Sequence, residues 1–138
     1  MTFSVLLEES LAALGDIELS NVSFGPFHAQ LDFSGEFNVF LRIDKDIDLL
    51  NEANVTETIN IETKRNYESV GKLVSLIGAK VCSMKYQSNL FRIDFEKPQD
   101  ESLVINLLTT GFDPIQVSCS HHMNPRELVW RFTVNATM

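Results

Sequence analysis

Two short segments carry residue types that could hold a metal ion or a reacting group. Asp44-Lys45-Asp46-Ile47-Asp48 opens like a calcium loop, in which carboxylates at alternate positions converge on one hard cation. Such a loop also needs glycine at its sixth position for the sharp turn and glutamate at its twelfth as a bidentate ligand. Those positions are Leu49 and Val55, so the pattern fails and a solvated acidic turn remains. Cys119-Ser120-His121-His122 is the other cluster. A zinc site needs at least three protein ligands at characteristic paired spacings, and this run lacks those spacings. Cys119 also alternates with Ile115 and Val117, which assigns it to an inward-facing strand series. A cysteine–histidine nucleophilic pair needs the base within hydrogen-bond reach of the sulfur, and two positions apart at a strand end does not provide it. His28 lies far off in the chain. No bound metal or cofactor is expected.

Other catalytic signatures are missing. The chain has no glycine-rich phosphate loop, no strained serine elbow and no paired-histidine zinc helix. The adjacent acids Glu8-Glu9 and Asp100-Glu101 read as a helix flank and a polar loop, solvated positions that do not suit acid–base catalysis. The chain is read as a protein without catalytic activity. Its net charge is −8, with 11 Lys and Arg against 19 Asp and Glu, and the cations are scattered apart from Lys64-Arg65. Phosphate-backbone binding requires the opposite balance, so nucleic acid is excluded as a partner.

Any such residues must be positioned by elements, and these are legible from periodicity. Leu7, Leu11 and Leu14 recur at helical spacing over about 4–14, with Gly15 as the C′ residue. A period of two follows: Ile17, Leu19, Val22 and Phe24, with an irregularity near Asn21, then Ala29, Leu31 and Phe33, then Phe37, Val39, Leu41 and Ile43. Asp44–Asn54 reads as a polar connection with room for one helical turn, and Thr56–Thr63 as a strand with Ile59 and Ile61 inward. Val70, Leu73, Val74 and Ile77 define a second helix over Asn66–Ile77, closed by Gly78. Strands follow at Val81–Tyr86, Leu90–Phe95, Leu103–Leu107, Ile115–Cys119 and Leu128–Val134. Leu31, Phe33, Leu73, Leu76, Val81, Ile93, Phe95, Trp130 and Phe132 are the expected core, and Arg131 should reach solvent or an acid. Cys82 and Cys119 both fall in apolar alternating runs and read as small buried hydrophobes.

The fold class these elements predict is α+β, with two helices and mostly antiparallel sheets in a single domain spanning 1–138. A shift of 62 residues carries Leu11 onto Leu73, Leu19 onto Val81, and Leu31-Asp32-Phe33 onto Ile93-Asp94-Phe95. Segments 4–63 and 66–134 are thus either pseudo-symmetric helix-plus-meander halves sharing one core or two segments with the same forced two-residue period. No run approaches the ~18 apolar residues of a membrane span. The opening Met1–Glu9 has no basic segment and too short an apolar stretch for a signal peptide, so the cytoplasm is the expected compartment.

What remains is recognition by surface. Asp44, Asp46, Asp48 and Glu52 lie within nine residues, and they are the candidate partner-binding group. An acidic face suits a basic partner, whose approach it accelerates. Three features stand out in the chain: the hairpin from Phe24-Gly25-Pro26-Phe27 to Leu31-Asp32-Phe33, the Leu76-Ile77-Gly78 segment leading to Val81, and the aromatic strand around Trp130. This layout resembles a family of small bacterial proteins of unassigned function. In size, charge and order of elements it is similar to immunity proteins of contact-dependent growth inhibition and related polymorphic toxin systems. The resemblance implies a cytoplasmic toxin inhibitor whose partner is a cognate, basic toxin domain. It carries no site residue, because its motifs are structural. The alternative function is a small-molecule-binding or sensory domain with a pocket between the two halves, lined by phenylalanines.

Overall fold

A computed structural model describes residues 3–25, 28–44, 46–50, 56–59, 67–87, 89–96, 102–106, 115–121, 123–124 and 127–134. Helix α1 (Phe3–Ala12) leads into β1 (Ile17–Phe24), β2 (Ala29–Gly35), β3 (Phe37–Ile43), β4 (Ile47–Leu50) and β5 (Thr56–Ile59). Helix α2 (Tyr67–Val74) leads into β6 (Val81–Gln87), β7 (Leu90–Phe95), β8 (Ser102–Asn106), β9 (Ile115–His121) and β10 (Leu128–Val134).

The expected α+β class is overturned. The protein is mostly β: the described residues form two five-stranded antiparallel sheets with only two short helices. The helical periodicity overstated both helices, since Leu14, Leu76 and Ile77 lie in the turns that follow them. Those turns are set by Gly15 and Gly78, which take φ of +71° and +95°, a region other residues rarely enter. The described part of the polar connection Asp44–Asn54 contains strand β4, where the sequence left room for a helical turn, and residues 51–54 lie outside the described residues. Ile47 and Leu49 point into the core, and Asp48 and Leu50 alternate away from it. Ile61 and Asn66 lie outside the described residues.

Sheet order reveals how the chain is woven. The first sheet runs β1-β2-β3-β9-β10 and the second β5-β4-β8-β7-β6. Each half of the chain therefore builds a three-stranded meander and gives its last two strands to the other half's sheet. Under the 62-residue shift, register coincides as well. Leu19 faces Phe33 and Val81 faces Phe95; a bulge follows in each strand, after which Asn21 faces Asp32 and Ser83 faces Asp94. The sheets touch where β1 and β6 begin, at the bridge between Glu18 and Lys80. There the Leu19 amide donates to the Ala79 carbonyl at 3.1 Å and the Gly78 amide to the Leu19 carbonyl at 2.7 Å.

Leu7, Leu11 and Leu14 join the inward residues of both sheets, with Leu73 and Leu76, in one buried cluster. Leu31, Phe33, Ile93 and Phe95 are buried as the alternation predicts. Val81, Trp130 and Phe132 depart from expectation and are only partly buried. Val81 borders the β6 bulge, while Trp130 and Phe132 stand on β10, the outermost strand of its sheet. The same bulge turns Cys82 into solvent, against its reading as a buried hydrophobe. Arg131 is exposed. Among the described residues no helix is long and apolar enough to cross a membrane.

Candidate functional site

Three of the four proposed partner-binding acids sit together where the chain crosses between sheets. Strand β3 ends at Ile43 in the first sheet and β4 begins at Ile47 in the second. Asp44 and Asp46 flank the passage, and Asp48 is one step into β4. All three are partly exposed. Asp44 keeps 28 % of its side chain open and faces the Arg42 guanidinium at 3.9 Å. Asp48 accepts a hydrogen bond from the Thr58 hydroxyl at 2.7 Å, across the β4–β5 pair. Glu52 lies outside the described residues. The described acids thus form a half-solvated ridge, in which Arg42 faces Asp44 and Thr58 ties Asp48.

Cys119 and His121 stand on one face of β9 but in different surroundings. Cys119 is buried on the inner face of β9, and burial pushes its thiol above the ordinary range. His121 is exposed, tilts against Phe37 at 6.1 Å between ring centres and approaches Glu127 at 3.9 Å. A sulfur kept protonated and a solvent-facing imidazole do not make a nucleophile–base pair. Among the described residues no three His, Cys, Asp or Glu side chains are grouped to hold a metal ion. His122 is outside those residues.

Compared with family models, curated proteins and solved structures, the chain matches none.

Two further features were not singled out from the sequence. On the outer face of the second sheet, Asp94 collects donors from three strands: Arg92 Nε at 2.8 Å, Ser83 Oγ at 2.8 Å and Ser102 Oγ at 2.5 Å. Burial alone would raise its carboxyl. The hydrogen bonds from Ser102, Arg92 and Ser83, with the charge of Arg92, outweigh that and hold it below the usual carboxylate range. With its oxygens occupied, Asp94 works as a strand tie. Its shifted counterpart Asp32 accepts from Gln30 Nε2 at 2.9 Å and Asn21 Nδ2 at 3.4 Å.

The second feature is a groove of about 320 Å³ between α1 and the β9–β10 end of the first sheet. It is lined by Leu6, Glu9, Ser10, Ala13 and Leu14 from α1 and its turn, and by Phe37, Cys119, Val129 and Trp130 from the strands. α1 is held beside it by Glu8, whose Oε1 accepts the Tyr86 backbone N–H on the outer edge of β6 at 3.0 Å. Glu8 and Glu9, read from sequence as one solvated pair, therefore do different work. A trace of the groove was present in the sequence: Leu6, Glu9, Ser10 and Ala13 follow a second helical stripe beside the buried leucines. The groove does lie where α1 of the first half meets β9 and β10 of the second, but among the described residues its lining has one phenylalanine instead of many. Phe33 and Phe91 are fully buried in the core.

Proposed function

We propose that the protein is a cytoplasmic immunity protein that binds and neutralises a cognate, basic toxin domain. The observation that supports this reading is the acidic ridge of Asp44, Asp46 and Asp48 at the crossover between sheets, on a chain of net charge −8. Carboxylates so placed draw in a cationic surface and orient it before contact. The ridge stands on the ends of two sheets, whose register fixes the backbone beneath it.

The test has two parts. Co-expression with the toxic domain encoded in the neighbouring open reading frame should protect cells; unprotected cells would remove the assignment. Replacing Asp44, Asp46, Asp48 and Glu52 together with Ser should slow association about tenfold at low ionic strength and flatten its dependence on salt. Stopped-flow association measured across a salt series checks this. A quadruple variant that associates like the parent would remove the ridge as the contact surface and leave the toxin assignment standing.

A further inference from the structure

The groove beside α1 has the composition of a ligand site. Its floor is Leu14 and Cys119, both buried, and its walls are Phe37 and Trp130. Leu6 and Val129 form apolar lips, 44 % and 43 % exposed. Because burial keeps the Cys119 thiol protonated, the floor is uncharged. Its volume falls at the lower end of the range that small organic ligands fill, and such sites combine apolar walls with a few polar groups.

Those polar groups specify the sign of the occupant. Among the described residues of the lining, Glu9 is the one carboxylate, with Ser10 next to it in the chain, and none is Lys, Arg or His. Among the described residues no cation pairs with Glu9. An anion would meet Glu9 as a like charge, with no cation among the described lining residues to offset it. A cation gains the carboxylate, and an organic body attached to it gains contact with the Trp130 and Phe37 side chains of the lining.

We propose that the groove binds a small organic cation, an amine whose aromatic or alkyl body lies over Cys119 between Phe37 and Trp130 and whose ammonium meets Glu9. This site is independent of the toxin reading, since none of the ridge acids lines it, and either can fail without the other.

Trp130 is the only tryptophan in the chain, so its fluorescence reports the groove directly. The full-length protein is titrated with phenylbutylamine, phenylbutanol and phenylbutyrate, which share a body and differ in head-group charge. The amine should give a saturable change and bind roughly fivefold or more tighter than the alcohol, with the carboxylate weakest. Glu9→Gln should bring the amine to the level of the alcohol. Ala13→Leu, at an exposed position on the rim, should block all three while thermal unfolding stays as in the parent. No saturable change with the amine up to about 10 mM would overturn the proposal. So would a carboxylate that binds as well as the amine, or a Glu9→Gln variant that retains the amine preference.

Discussion

Asp94 illustrates how one side chain is set by its neighbours. Taken alone, a carboxyl partly sunk into a sheet face is harder to ionise, yet three donors reverse that and favour the charged form. A folded-state acidity stronger than that of the unfolded chain contributes stability above the unfolded value of about 3.8, and this is lost as pH falls through that value towards the lower folded one. Asp94→Asn keeps the shape and removes the charge. Near neutral pH it should cost on the order of 1 kcal/mol, a figure kept small because the site is partly solvated. In acid the parent and variant should converge, which urea unfolding between neutral pH and about pH 3 will show. A difference that persists unchanged into acid would mean that the charge is not what the hydrogen bonds stabilise.

At the scale of elements, two glycines have opposite roles. Gly35 ends β2 where the Asp16 backbone carbonyl crosses so closely that an added Cβ would lie 2.0 Å from its oxygen. No rotamer relieves a backbone clash, so Gly35→Ala must push the start of β1 away from β2. Gly71 lies inside α2, is exposed, and would present a Cβ to open space. There the glycine only loosens the helix, and Gly71→Ala should stabilise the protein by about 0.5–1 kcal/mol. Gly35→Ala should destabilise it by about 2 kcal/mol or more, as overpacked sites do. Thermal melts of the two variants beside the parent should therefore move in opposite directions. If both move the same way, the β1–β2 corner yields more easily than its backbone contact suggests.

The whole molecule is bound together by strand exchange. Because β9 and β10 complete the sheet begun by β1–β3, and β4 and β5 complete the sheet begun by β6–β8, neither sheet belongs to one half of the chain. The inward residues of both sheets form one cluster. Losing either sheet strips apolar cover from the other, so the protein should unfold in a single transition. Trp130 fluorescence follows the first sheet alone, and far-ultraviolet circular dichroism follows both. The two probes should give coincident denaturation curves. Separated midpoints would show that the sheets melt independently despite their shared strands.

Much of the local structure was written in the sequence. The period of two located nine of the ten strands and missed β4, and the apolar spacing located both helices while running past their ends, because these signals depend only on which residues must face an apolar interior. The shared positions of Leu19 and Val81, or Asp32 and Asp94, were visible for the same reason. The chain also disclosed its acidic crossover as a cluster, though not that Asp44 would face Arg42 or Asp48 tie to Thr58. Pairing between distant strands decided the rest. Periodicity cannot say which strand becomes a neighbour, so the exchange of β4–β5 and β9–β10 appeared only in the fold. The bulge that exposes Cys82, the outermost place of β10 that opens Trp130, and the seating of Glu9 beside it depend on the same pairing. Each is a property of where two segments far apart in sequence come to rest, and residue type alone does not encode that.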